Sequence, residues 1–308
     1  MVGESASHSA QLDSPILVAV DGSASSYHAA AWAAVEAALH GCPLHILTSM
    51  AVQTSFGPGM MLGEADIEWM RRDGQRILTE ATRVARTAAP GEDPETTTEV
   101  TFELVIPTLI ERSTQVRMLV VGSRGMGALQ RGLLGSVSTA TTHHAHCPVA
   151  VIHGSSAIDA VSATQPVLVG VDGTSNSVPA VELAFEEASR RKVGLVALHA
   201  WSDTTGLDVP IAGWDAAQQS AEAVLAENLA GSSERYPDVP IHRIVVADRP
   251  VRSLLDESAN TQLVIVGSHG RGGFASMLLG STSNALLHSV EAPMIIVRSQ
   301  QAVRKHAR

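Results

Sequence analysis

The chain has 308 residues, a formal net charge of −10, 45% apolar residues and 3% aromatic ones. That length suggests two domains on the usual prior of ~100–200 residues each, and the apolar share is enough to build real cores. The negative charge argues against a general nucleic-acid or anionic-membrane partner, and the scarcity of aromatics argues against single-stranded nucleic acid held by base stacking.

Residues 1–14, MVGESASHSAQLDS, are polar, with no basic region followed by an apolar one, and are expected to form a disordered tail rather than a secretory signal. No apolar stretch approaches the ~18 residues of a membrane span. The expectation is a soluble, cytoplasmic protein. A short apolar strand at Ile16–Val20 ends at Asp21. Ser25 to about His40 then reads as a helix, with serine at its start and Gly41 just past its end. Leu44–Thr48 is a second strand, 51–63 a Gly/Pro/Met loop and Glu64–Ala88 a long amphipathic helix. The apolar alternation suggests a third strand at Val100–Leu104, then a short helix near 106–115 and a fourth strand at Met118–Val121. Ser136–His144 should be helical and Val149–Ile152 a fifth strand.

The second half repeats this order. PILVAVDGSASS at 15–26 matches PVLVGVDGTSNS at 166–177, and CPVAVI at 147–152 matches APMIIV at 292–297. Its strands are expected near Val167–Val171, Leu195–His199, His242–Val246, Leu263–Val266 and Met294–Val297, with helices near 176–191, 212–232, 250–259 and 282–288. The expected organisation is a tail at 1–14, domains at 15–153 and 166–308, and a small polar linker at 154–165. Short β-branched runs alternating with helices imply two α/β domains, each a five-stranded parallel sheet with helices on both faces. Such sheets bind ligands at the carboxyl ends of strands where strand order reverses. There Asp21 and Asp172, which end the first strands, should neighbour the loops leaving the fourth strands.

Those loops carry one motif written twice. LVVGSRGMGALQRGLLGSVS at 119–138 and VIVGSHGRGGFASMLLGSTS at 264–283 share a Gly-x2-Gly-x9-Gly-Ser frame. The frames are Gly122, Gly125, Gly135, Ser136 and Gly267, Gly270, Gly280, Ser281. Glycines after a strand let backbone N–H groups approach a phosphate, and a helix N-terminus attracts anions. The pair reads as two nucleotide-phosphate cradles, although duplication would copy a structural turn equally well. No Walker sequence is present, and neither Lys192 nor Lys305, the two lysines of the chain, follows such a loop. A relaxed dinucleotide match at Gly270, Gly272 and Ala275 follows the fourth strand rather than the first and reads as chance. The two loops differ in charge. Arg124 stands opposite His269, Met126 opposite Arg271 and Arg131 opposite Ser276. The arginines read either as a screen for a triphosphate or as solvated loop residues. His143, His144, His146 and Cys147 are crowded where a helix gives way to a strand and are not read as a metal cluster. Cys42 and Cys147 read as buried thiols of a reducing compartment.

DGS/DGT after the first strand, the GS[RH]G…LLGS[VT]S frame and the closing HCPVAVI-type strand resemble the universal stress protein family, in its tandem, ATP-binding form. The resemblance covers both halves and excludes the tail and linker. It implies an adenine nucleotide alpha hydrolase-like fold, two-fold pairing of the halves within the chain, a cytoplasmic regulatory role in stress, growth arrest or dormancy, and ATP, with Mg²⁺, as ligand. By position it implies that Asp21 and Asp172 meet the ribose or a phosphate-bound Mg²⁺; the alternative is that they only cap the turn into the first helix. Ala19 and Gly170 would line the nucleotide. Phosphate contacts would fall on the amides of Gly122, Ser123, Arg124, Gly125, Met126, Gly127 and Ala128, and of Gly267, Ser268, His269, Gly270, Arg271, Gly272 and Gly273. The helix starts Gly135-Ser136-Val137 and Gly280-Ser281-Thr282-Ser283 would complete the cradles, and Asp203 would border the base or ribose. A slow ATPase or phosphotransferase competes with the regulator, but no motif clearly supplies a water and a base near a γ-phosphate. A structural interaction protein with vestigial loops is the third reading. A protein partner is expected without being identified, and homodimerisation stays open.

Overall fold

The computed structural model describes residues 14–51, 63–91, 93–125, 134–154, 161–201, 214–247, 249–270 and 279–298. The chain divides into two compact units, Met1–Gly154 and Ser155–Arg308. The first alternates β1 (Ile16–Ala19), α1 (Ala24–His40), β2 (Leu44–Ser49), α2 (Glu64–Ala88), β3 (Thr96–Thr101), α3 (Val105–Arg112), β4 (Met118–Gly122), α4 (Ser136–His144) and β5 (Val149–Ile152). The second repeats the series as β6 (Val167–Val171), α5 (Val178–Arg191), β7 (Leu195–Ala200), α6 (Trp214–Arg235), β8 (Ile241–Val246), α7 (Pro250–Ser258), β9 (Leu263–Gly267), α8 (Ser281–Ser289) and β10 (Met294–Val297). A 3₁₀ turn at Ser162–Thr164 precedes β6.

Within each unit every strand pairing is parallel. The orders are β3-β2-β1-β4-β5 and β8-β7-β6-β9-β10. The chain leaves β1 toward β2 and β3, then crosses back to β4 on the other side of β1. The carboxyl ends of β1 and β4 are therefore neighbours whose loops diverge, and the same holds for β6 and β9. The inner strands ILVA, MLVVG, VLVGV and LVIVG are almost wholly buried, as strands covered by helices on both faces must be. β2 and β7 begin 151 residues apart, at Leu44 and Leu195, whereas β3 and β8 begin 145 apart, at Thr96 and Ile241. The length difference between the halves thus lies between the second and third strands.

The third strand begins four residues before the expected Val100–Leu104. Its threonines pair with β2 from Leu44↔Thr96 to Ser49↔Thr101. It is an edge strand of its unit, so β-branched residues suffice without a continuous apolar run. Phe102 and Leu104, which drew the sequence reading, lie beyond it and are 39% and 54% exposed.

α1 is set by local signals at both ends. Ser23 caps it, its Oγ accepting from Ser26 N at 3.2 Å, and Gly41 ends it in the left-handed conformation at φ 62°. Alanines at 29, 30, 33, 34 and 37 are buried, which lets sheet and neighbouring helix approach closely. Two polar pairs sit within these helices. Glu36 Oε1 lies 3.2 Å from His40 Nε2 with both side chains fully buried, and Glu187 lies 3.3 Å from Arg191 at the same positions of the second half. Among the described residues no helix is long and apolar enough to cross a membrane.

Candidate functional site

Asp21 stands two residues past the end of β1. Its Oδ1 accepts from Ser23 N at 3.0 Å, while its own N–H donates to Ser26 Oγ at 3.2 Å. The carboxylate thereby holds the turn into α1, a turn that also requires Gly22 at φ +88°. Its other oxygen faces the fourth-strand loop. A Cβ on Gly125 would stand 2.5 Å from Asp21 Oδ2. The structure thus joins two residues 104 positions apart, and a side chain at 125 would push the Asp21 carboxylate aside.

The second half builds the same corner. Asp172 Oδ1 accepts from Thr174 N at 2.8 Å, and Thr174 Oγ1 lies 2.9 and 2.8 Å from the two carboxylate oxygens. Gly173 is left-handed at φ +79°, and a Cβ on Gly270 would meet Asp172 Oδ2 at 3.5 Å. Both aspartates do cap their turns, as the plainer reading had it, and both also face the glycine loop.

Three hydrogen bonds fix each loop, one to the last strand of its unit and two to the start of the helix that follows. In the first half Ser123 N donates to Ile152 O at 2.8 Å, Gly135 N to Ser123 O at 2.8 Å and Ser138 Oγ to Gly122 O at 2.6 Å. In the second half Ser268 N donates to Val297 O at 2.7 Å, Gly280 N to Ser268 O at 2.7 Å and Ser283 Oγ to Gly267 O at 2.6 Å. These bonds hold the starts of α4 and α8 against the strand ends. Gly135 and Gly280 are the N-caps, with no side chain to cap the helix. The amides of Ser136, Val137 and Ser138, and of Ser281, Thr282 and Ser283, therefore have no acceptor within their helices, and the helix dipole adds partial positive charge there. Ser283 was expected in the cradle; its hydroxyl proton is given to Gly267 O instead, leaving its amide.

The glycines separate into two kinds. A Cβ on Gly122 would strike Ser25 at 2.7 Å from Oγ and 2.9 Å from the carbonyl, and one on Gly267 would lie 3.1 Å from Asn176 O. Gly122 is kept bare by the first turn of α1, and Gly267 is crowded by the turn that precedes α5. A Cβ on Gly170 would lie 3.2 Å from Val266 and 3.3 Å from Leu254 of α7, a tight fit that favours a small residue there. Gly135 and Gly280 differ. Their φ values, −68° and −67°, suit any residue, and a Cβ would make contacts no closer than 3.5 and 3.4 Å. Nothing among the described residues demands glycine at these positions, which border the open amides.

Ala19 is half-buried between Leu47 and Val121, Ser123 and Ser268 are buried, and Arg124 is exposed. His269 is half-buried, with Nδ1 3.0 Å from Ser268 Oγ. Met126, Gly127, Ala128, Arg131, Asp203, Arg271, Gly272 and Gly273 lie outside the described residues. Sequence reasoning missed Ser25, whose buried Oγ has no hydrogen-bond partner among the described residues and stands beside Gly122. A short-range signal existed in the serine two positions past the helix cap.

Set against known proteins, the universal stress protein family model matches residues 14–153 and again 163–298. A universal stress protein of Mycobacterium tuberculosis strain H37Rv is 47% identical over 285 residues, covering 92% of this chain and 96% of the relative. One from Mycolicibacterium smegmatis is 45% identical over 290 residues, covering 92% and 96%. Among solved structures, a universal stress protein from Archaeoglobus fulgidus superposes with a TM-score of 0.67 at 21% identity, over 92% of this chain and 98% of that one, a likeness of fold. With both halves matched and relatives of the same length at this identity, the chain belongs to the universal stress protein family in its tandem, two-domain form.

Proposed function

We propose that each half binds an adenine nucleotide, ATP with Mg²⁺, and that occupancy regulates the chain's engagement with a protein partner. The observation that carries the reading is the corner made twice by an aspartate oxygen, a bare glycine and an uncapped helix start. The glycine at that helix start, Gly135 or Gly280, answers to no packing need among the described residues. Phosphate oxygens fit the open amides at Ser136–Ser138 and Ser281–Ser283, where small anions are favoured. Mg²⁺ or a ribose hydroxyl fits Asp21 Oδ2 or Asp172 Oδ2, since hard cations take carboxylate oxygens. Ser25 Oγ offers a further donor in the first half. Arg124 and His269 flank the two loops and would make the halves unequal in affinity.

The test is to denature the purified protein and identify any released nucleotide by chromatography and mass spectrometry, with stoichiometry per chain. Retained ATP, or saturable binding of added Mg²⁺-ATP at one or two sites, supports the reading. No retained nucleotide together with no binding of added Mg²⁺-ATP would refute it. Retained ADP, followed by measurable turnover, would move the assignment to a slow ATPase.

A further inference from the structure

The two halves part company next to the aspartate turn. The matched segments 15–26 and 166–177 are followed without a gap by Tyr27 in one half and Val178 in the other. Tyr27 reaches from α1 toward α2. Its hydroxyl lies 3.8 Å from the position of a Cβ on Gly22, and it feels the charges of Asp73, Arg76 and Glu80. Burial pushes its phenol above the ordinary value. Valine is too short to bridge the same space. Val178 is 40% exposed, and a cavity of about 510 Å³ runs between α5 and α6, within the size range of small-molecule sites.

The walls of this cavity are polar. Thr174 and Ser175 stand at the turn, Glu182 on α5, and Glu227, Asn228 and Arg235 on α6. On α2 of the first half the charges are matched, Arg76 with Asp73 at 2.8 Å and Arg83 with Glu80 at 2.6 Å. Glu182 and Glu227 come from opposite walls, and neither has an ion-pair partner among the described residues. Two carboxylates against one guanidinium, in a chain of net charge −10, favour a cation over an anion. Oxygen acceptors along both walls suit N–H donors spaced along a chain rather than one compact ion.

We propose that the α5–α6 groove of the second half binds a small linear aliphatic diamine or polyamine, with ammonium groups at Glu182 and Glu227. The first half is closed to it by Tyr27. The assignment does not depend on nucleotide binding, because Glu182 and Glu227 lie away from the aspartate corner, which the groove meets only at the 173–175 turn.

Spermidine is the probe, titrated into the full chain by calorimetry in 150 mM salt. Saturable binding of one spermidine per chain is expected. Val178→Tyr, which writes the first half's residue into the second, should abolish it. Glu182→Gln with Glu227→Gln should weaken it at least tenfold even if the tyrosine variant misfolds. Absence of saturable binding would overturn the proposal. So would binding unchanged in the double glutamine variant, which would mark loose counterion association with an acidic protein.

Discussion

Gly122→Ala and Gly135→Ala lie thirteen residues apart in one motif, yet they should fail in opposite ways. At position 122 the new β-carbon falls 2.7 Å from Ser25 Oγ and 2.9 Å from the Ser25 carbonyl. The obstacle is backbone in the first turn of α1, so the strand end or the helix must shift, an overpacking cost of about 1–3 kcal/mol. For a domain of this size that corresponds to a melting temperature lower by roughly 3–10 °C. At position 135 the nearest atom among the described residues is 3.5 Å from a Cβ and φ is −68°, so the expected penalty is alanine's poorer capping, about 0.5 kcal/mol. The methyl group would nevertheless stand beside the open amides of Ser136 and Val137, and Mg²⁺-ATP affinity at the first-half site should fall at least tenfold. Thermal denaturation read beside calorimetric titration separates the two effects, with Gly280→Ala as the second-half replicate. If Gly122→Ala keeps its melting temperature, or Gly135→Ala loses stability while binding nucleotide normally, the division into packing glycines and ligand-facing glycines is wrong.

Asp21→Asn keeps the Oδ1 acceptor for Ser23 N but removes the charge facing Gly125. Stability should change by less than about 1 kcal/mol, while the Mg²⁺ dependence of nucleotide binding in the first half disappears; an unchanged Mg²⁺ dependence would remove Asp21 from the metal role. Burial pushes the Cys147 thiol up to about 12, so it stays protonated in the fold while an unfolded thiol ionises near 9. The folded state then holds the extra proton between those values, and stability falls by at most about 1.4 kcal/mol per pH unit above pH 9. Urea titrations should show Cys147→Ala flattening that alkaline slope, and the native thiol should resist alkylation at pH 8; rapid native labelling would contradict the burial. Glu36→Ala removes the carboxylate that lies 3.2 Å from His40 Nε2 in a fully buried position and should cost about 1–3 kcal/mol by urea denaturation, a loss that a mere surface pair would not produce.

Much of the fold could be read from the chain because its signals are local. Apolar runs such as LVV and VIV, a serine cap and the glycine after His40 each act within a few residues. The edge strand at Thr96–Thr101 escaped because half-covered strands need no apolar run. Of the site, the aspartates and the loops were legible, being punctuation at strand ends and written twice. What each glycine is for was not, because Gly122 and Gly135 look alike in the motif and differ in whether the first turn of α1 stands within 3 Å of a Cβ there. The Glu36–His40 and Glu187–Arg191 pairs carried an i,i+4 signal inside alanine-rich helices, overshadowed by the louder glycines. The groove depends on a single tyrosine-to-valine difference whose meaning lies in a helix about fifty residues further on.

The aspartate corner is also a transmission element. One oxygen of Asp21 anchors the first turn of α1 and the other looks into the loop. Any charge drawn to the second oxygen competes with the amide bonded to the first, so the aim of a seventeen-residue helix is wired to the state of the loop. In the second half the Thr174 hydroxyl grips both oxygens of Asp172, and that wire is stiffer. On the proposal that each half binds a nucleotide, one compliant and one restrained corner would answer the same ligand over two ranges of concentration, a graded response from a single polypeptide.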